Sequence, residues 1–298
     1  IPIVSSPMDT VTEYEMAFKL WEFGGVGFIH RFMTIEEQVD QVKKLREKIR
    51  NYFEYDEYIV SAKQLGAVSI GVTGDYYERA QELFEHNAKT FLFDVAHGHH
   101  ILLKGAITKL RKKYGDTITI IGGSVATAQA AKDLIDWGVD CVRIGVGCGS
   151  LCETRIKTGV GIPQATAIAD VARIARKEGI TIIADGGIRT PGDAAKAIGL
   201  GADMVMLGSL FAGTKETPGR LIRVGDFPNE QLFKQYRGSA SQSAKLDRGE
   251  NDNNVVYFVC SCGNTTKIYI PPHQKELICR DCFRKHDVSK FKRYRLGT

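Results

Sequence analysis

The chain predicts an α/β protein, a (β/α)8 TIM barrel, on three observations. Short runs rich in β-branched residues recur along the sequence, each followed by a helix-compatible stretch. There are eight of them, spread over the ~200–250 residues that a closed barrel takes. Most end in a small or polar residue, as strands do when their C-terminal ends build a site on one rim. An open doubly wound sheet shares the local pattern, and the count of eight favours the barrel.

Taken in order, the first strand, Ile1–Ser5, runs into Ser6, and the second, Val26–Ile29, stops at His30. Ala67–Val72 is the third. Thr90–Asp94 delivers an acid to the rim, ahead of the cluster Ala96-His97-Gly98-His99-His100. Thr117–Gly122 ends in Gly122-Gly123-Ser124, and Cys141–Gly145 opens the longest unusual loop. Thr181–Asp185 leads into Gly186-Gly187, and Met204–Leu207 into Gly208-Ser209. After Leu210 the alternation stops. Ser239–Asn254 is polar and spotted with glycine and asparagine, a flap or linker. The expected domains are therefore a barrel with a partial flap over 1–254 and a small C-terminal appendage over 255–298.

Composition narrows the class. The net charge of +5 is concentrated in the tail, where nine Lys/Arg stand against three Asp/Glu from Val255 onward, leaving the preceding residues at −1. A polyanion partner such as nucleic acid is thus expected only at the tail. Seven cysteines are too sparse for a disulfide scaffold and point to catalytic or metal-binding roles with reduced thiols. No apolar run approaches the ~20 residues needed to cross a bilayer, and IPIVSSPMDT has no signal pattern, so no membrane partner and a cytoplasmic location are expected.

The loop Gly145–Pro163 is dense in glycine and holds Cys148, Cys152, Thr154 and Arg155. Glycines let backbone amides and carbonyls face a ligand directly. A thiol on that rim is a candidate nucleophile; a buried filler is the plainer reading. The paired glycine-rich ends of strands seven and eight suit a phosphate, although tight βα turns alone would also call for glycine. Asp94 is placed to grip a ribose hydroxyl. The nearby histidines read as caps or solvated groups more readily than as metal ligands.

At this point a resemblance becomes specific. SSPMDTVTE (Ser5–Glu13), GGVGFIH (Gly24–His30), GVGCGSLCETRIKTGVGIPQ (Gly145–Gln164), ADGGIRTPGD (Ala184–Asp193) and VMLGSLFAGTKETPG (Val205–Gly219) resemble, in order, the signature blocks of the IMP dehydrogenase/GMP reductase family. The resemblance runs to about Asn254. It implies a homotetrameric barrel in which the loop cysteine attacks C2 of a purine mononucleotide, IMP or GMP, and hydride passes between C2 and a nicotinamide cofactor. It also implies Cys152 as nucleophile and Thr154 as its proton-relay partner. Ser6, Met8, Ser150, Asp185, Gly187, Gly208, Ser209, Tyr236 and Gly238 match nucleotide contacts, and Asp94 matches the cofactor side. The carbonyls of Gly147, Gly149 and Cys152 match a monovalent-cation site, normally K+.

The sequence departs from the pattern at Ser124 (usually Asn), Cys148 (usually Pro) and Glu153 (commonly Thr), and Thr34–Lys63 leaves no room for the regulatory modules that the dehydrogenases insert there. The flap offers Asp247-Arg248-Gly249 without the dehydrogenases' tyrosine, while YRGSAS (Tyr236–Ser241) and IKTG (Ile156–Gly159) are similar to bacterial reductases. These features favour GMP reductase, releasing ammonia from GMP and reducing the bound intermediate to IMP with NADPH; IMP dehydrogenase with NAD is the alternative. The reductase's glutamate after Asn-Val is missing at Asn254-Val255, with Glu250 as a substitute.

In the tail, Cys260-x-Cys262 and Cys279-x-x-Cys282 lie sixteen residues apart, with strand-like VVYFV and KIYI between turns. Four thiolates in two pairs suit tetrahedral Zn2+ in a small ribbon, with unligated cysteines as the alternative. SKFKRYRLGT interleaves cations with Phe291 and Tyr294, which suits nucleic acid or a solvated end. A further alternative is a truncated, catalytically impaired nucleotide-binding barrel fused to a nucleic-acid-binding zinc module.

Overall fold

The structure is a computed structural model that describes residues 1–52, 66–224, 231–239, 241 and 244, with the strand backbone at 255–259, 265–269, 276–278 and 285–287. It divides into two units, Ile1–Tyr236 and Arg237–Thr298.

The first unit alternates strands and helices. In order these are β1 (Ile3–Ser5), α1 (Tyr14–Glu22), β2 (Val26–Gly27), α2 (Ile35–Tyr52), β3 (Ala67–Ile70), α3 (Tyr76–Glu85), β4 (Thr90–Phe93) and α4 (Ile101–Tyr114). They continue with β5 (Thr119–Val125), α5 (Ala128–Trp137), β6 (Cys141–Ile144), α6 (Thr154–Thr158), α7 (Gln164–Glu178), β7 (Thr181–Asp185), α8 (Pro191–Gly199) and β8 (Met204–Leu207). The eight strands are parallel in the order β2-β1-β8-β7-β6-β5-β4-β3. The ends of that order meet through a parallel bridge between Ile29 and Val68, with Ile29 N–H donating to Ala67 O at 3.1 Å and Ser69 N–H to Ile29 O at 2.9 Å. The ring therefore closes, and the expected barrel is the fold.

Side chains alternate across each strand, so one set faces inward and the other meets the helices. The inward set is Val4, Phe28, Ala67, Leu92, Ile121, Cys141, Ile183 and Met206, one from each strand or, for Phe28, the residue just past β2. The outward set packs under helices that present apolar residues at three- and four-residue intervals, as α2 does with Val39, Val42, Leu45 and Ile49. Each large side chain so buried contributes ~1.5–3 kcal/mol relative to exposure. Buried Gln38 adds a polar strap from α2 to the closing seam, its Nε2 donating to Ser69 O at 2.9 Å and its Oε1 accepting from Arg79 at 2.8 Å.

Strand ends differ from expectation most at β5, which runs on through Gly122-Gly123-Ser124 to Val125 with a register shift against β6. The extension pairs with β6, where Val125 stands opposite Ile144 and Gly145 N–H donates to Val125 O at 2.9 Å. On its other side the loop after β4 comes close: a Cβ on Gly98 would stand 2.7 Å from Gly123 C, Gly98 N–H donates to Ser124 O at 2.8 Å, and Ser124 is buried. Of the neighbouring histidines, expected as caps or solvated groups, one caps a helix and one forms an ion pair. His100 caps α4 by accepting Leu102 N–H at 3.1 Å, and His99 pairs with Asp133 at 2.6 Å.

Beyond β8, β9 (Ile222–Val224) and β10 (Gln231–Phe233) form an antiparallel pair in the first unit. In the second unit β11 (Val255–Val259) pairs antiparallel with β12 (Thr265–Tyr269), and β13 (Glu276–Ile278) with β14 (Lys285–Asp287). Cys260, Cys262, Cys279 and Cys282 lie outside the described residues, as do Asp247, Arg248, Gly249, Glu250, Phe291 and Tyr294.

Candidate active site

Because all eight strands run the same way, the residues at their C-terminal ends share one rim. The turn after β8 gathers several of the expected nucleotide contacts. A Cβ on Gly208 would lie 3.3 Å from each of Ser6 Oγ, Met8 Sδ and the Tyr236 hydroxyl, so only glycine leaves that space open. The Tyr236 hydroxyl is 3.4 Å from Ser150 Oγ, which joins the β6 loop to the same place. Ser209 follows in the turn and is half-buried. After β7, Gly186 and Gly187 take φ of +90° and +80°, and a Cβ on Gly186 would fall 2.8 Å from Cys148 Sγ. Gly187 sits beside Cys148 O. Gly238 belongs to the second unit, where its carbonyl accepts Ser241 N–H.

The β6 loop is built around glycines that let Arg155 pass. A Cβ on Gly147 would be 2.5 Å, and one on Gly161 2.4 Å, from Arg155 Cγ. Held by that stem, the loop turns at Gly149, whose carbonyl accepts Cys152 N–H at 3.0 Å, and enters α6. Cys152 is half-buried, and its thiol donates to Thr154 Oγ1 at 3.2 Å. Glu153, where threonine is common, forms an ion pair one turn on with Lys157.

The other two described thiols are different. Burial pushes Cys141, an inward residue of β6, up to about 12. Cys148 is also pushed up to about 12, by burial first and by the Asp185 carboxylate second. Its sulfur lies 3.2 Å from both Gln164 Oε1 and Asp185 O, while Gln164 Nε2 donates to Ile144 O and Asp185 O at 3.0 Å. Cys148, in the place of a proline, thus ties the loop to the ends of β6 and β7. Only Cys152 among these three combines exposure with a relay partner.

One feature of the rim escapes the sequence. Arg143 of β6 points between two acids, with both Nη atoms 3.5 Å from Asp94 Oδ1 and Nε 3.9 Å from Asp185 Oδ2. Arg31 approaches Asp94 from the other side, Nε to Oδ2 at 3.6 Å. Burial raises the Asp185 carboxyl above its ordinary range, Arg143 opposes the rise, and Asp94 adds to it. A basic residue inside a strand reads as outward and solvated, so no local signal marks Arg143.

Among the described residues no cluster of three or more His, Cys, Asp or Glu could hold a metal. Nor is any described helix long and apolar enough to cross a membrane.

A family model described as "IMP dehydrogenase / GMP reductase domain" matches residues 1–269. The inosine-5'-monophosphate dehydrogenase of Borreliella burgdorferi is 39% identical over 287 residues, covering 84% of this chain and 69% of that protein. That of Cryptosporidium parvum is 38% identical over 279 residues, covering 85% and 68%. That of Streptococcus pyogenes is 45% identical over 204 residues, covering 68% and 40%. The matched span passes Asn254, where the motif resemblance stops, and crosses β11 and β12, which hold none of those motifs. Rim geometry and family match meet in one conclusion: the chain belongs to the IMP dehydrogenase/GMP reductase family of purine-nucleotide oxidoreductases.

Proposed function

We propose that the protein is an IMP dehydrogenase, converting IMP and NAD to XMP and NADH. The observation that carries this reading is the identity of 38–45% to relatives named dehydrogenases. It revises the direction favoured by YRGSAS and IKTG; GMP reductase with NADPH has no such support. Those short segments change few side chains at the rim, whereas the relatives match over most of the chain.

In this reading the Cys152 thiolate adds to C2 of the purine, with Thr154 relaying the proton it gives up. Ser6, Met8, Ser150, Gly187, Gly208, Ser209, Tyr236 and Gly238 hold the nucleotide, and Asp185 accepts hydrogen bonds from its ribose. NAD, when bound, takes the hydride released from C2. The fit is chemical as well as positional: among the described residues Asp94 is a carboxylate reached by long arginine contacts, and so it keeps lone pairs for a cofactor ribose. Water then releases XMP from Cys152, with Arg248 as the candidate activator. The carbonyls of Gly147, Gly149 and Cys152 are hard oxygen donors, as K+ prefers. Assembly as a homotetramer, a barrel over 1–254 and a separate tail over 255–298 belong to the same reading.

The test is absorbance of the reduced cofactor with IMP plus NAD in one arm and GMP plus NADPH in the other. NADH formation in the first arm is expected, falling at least about a thousandfold in Cys152→Ala and about a hundredfold in Thr154→Val. Exchange of K+ for Na+ should slow it. Consumption of NADPH in the second arm alone would overturn the direction, and silence in both would overturn the reading.

A further inference from the structure

Arg143 is almost wholly buried, its side chain 5% exposed, yet none of its charged contacts is tight. Asp94 lies at 3.5 Å and Asp185 at 3.9 Å, Val95 O accepts from Nη2 at 3.3 Å, and Nε has no hydrogen-bond partner. A buried guanidinium is normally satisfied by close, bidentate pairing. Here its rigid fork is divided between acids that come from β4 and β7, with β6 between them in the ring. Because the fork is planar and fixed, a shift that brings it square to one acid changes its hold on the other.

Among the described residues, Arg31 meets Asp94 and rests over the Phe32 ring, 4.9 Å from the centroid. The Cys148 thiol faces the Asp185 carbonyl and stays protonated. Arg143 is thus the one described side chain in charged contact with both acids.

We propose that Arg143 is a positioning residue that couples the two halves of the site, so that nucleotide bound at Asp185 fixes the guanidinium and with it the Asp94 carboxylate that receives the cofactor. This rests on the reading above, in which Asp185 faces the nucleotide and Asp94 the cofactor. Ordering the fork is a cost met once, by whichever ligand arrives first; the second finds its carboxylate already oriented. Coupling of this kind is reciprocal: IMP must tighten NAD by the same factor by which NAD tightens IMP.

The experiment is calorimetric titration of the full chain carrying Cys152→Ala, which cannot turn over. NAD is titrated with and without saturating IMP, and IMP with and without saturating NAD. The expected coupling factor is about fivefold or more in both directions. Adding Arg143→Lys, which keeps the charge and loses the fork, should bring the factor close to one while each ligand alone still binds. Should that variant fail to fold, as thermal melting would show, Arg143→Gln, which keeps a planar hydrogen-bonding head and loses the fork and its charge, should likewise bring the factor close to one. A factor near one before any change at Arg143, or a factor unaltered by Arg143→Lys or Arg143→Gln in folded protein, overturns the inference and leaves the functional reading standing. Failure of the Cys152→Ala protein to bind IMP overturns that reading, and this inference falls with it.

Discussion

Cys152 differs from Cys141 and Cys148 in what surrounds it. The latter two sit where burial holds the proton on sulfur up to about 12, so through the range of pH 7–9 almost none of either is thiolate. Raising the pH within that range gives them little more. Cys152 is half-buried, and its thiol meets the Thr154 hydroxyl. Iodoacetamide at pH 8 should therefore label the Cys152 peptide and spare those of Cys141 and Cys148, read by mass spectrometry, and IMP should protect Cys152. Equal labelling of Cys148 would show that its buried contacts with Gln164 and Asp185 do not persist in solution. At this scale the sequence discloses Cys152, Thr154 and the rim glycines, since a thiol in a glycine-dense loop is a local pattern. It conceals Arg143, whose burial depends on acids distant in the chain, and the tether made by Cys148, which requires Gln164 to return from α7.

Elements are fixed by close approaches and caps that single substitutions can probe. A Cβ on Gly27 would stand 2.4 Å from Ala17 Cα, where α1 lies against β2. Backbone on both sides leaves nothing to yield, so Gly27→Ala should destabilise by about 1–3 kcal/mol or more, seen as a lower Tm. At α8, Thr190 Oγ1 accepts Asp193 N–H at 3.2 Å and the Asp193 carboxylate returns to Thr190 N–H at 3.1 Å, a reciprocal cap. Thr190→Ala should cost about 1 kcal/mol, and a larger loss would mean that the turn before α8 does more than start a helix. Seven of the eight strands lie within their expected ranges, because β-branched runs bounded by glycine or aspartate are strong signals. The prolongation of β5 was not legible there: it rests on Val125 pairing with Ile144 of β6 past a register shift, which leaves no local trace.

For the whole molecule, the sequence supplies the count of eight, while closure rests on one seam, Ile29 against Val68, reinforced by Gln38. The motif blocks reveal the family because they recur in order along the barrel, most of them at strand ends; the direction of reaction is less visible, since the flap residues that separate reductase from dehydrogenase are few. If the barrel binds nucleotide as proposed, IMP at a hundred times its Kd should add about 2.7 kcal/mol to the stability of the folded state. Thermal melting with IMP, GMP and buffer alone measures this, and no shift with either nucleotide would contradict the proposed site.

The inward layer of Val4, Phe28, Ala67, Leu92, Ile121, Cys141, Ile183 and Met206 has a consequence for traffic. Packed across the barrel, these eight side chains close it below the rim. In the proposed function, nucleotide and cofactor therefore share the mouth above the rim, and that closed floor belongs to the packing of the barrel rather than to any residue that touches a ligand.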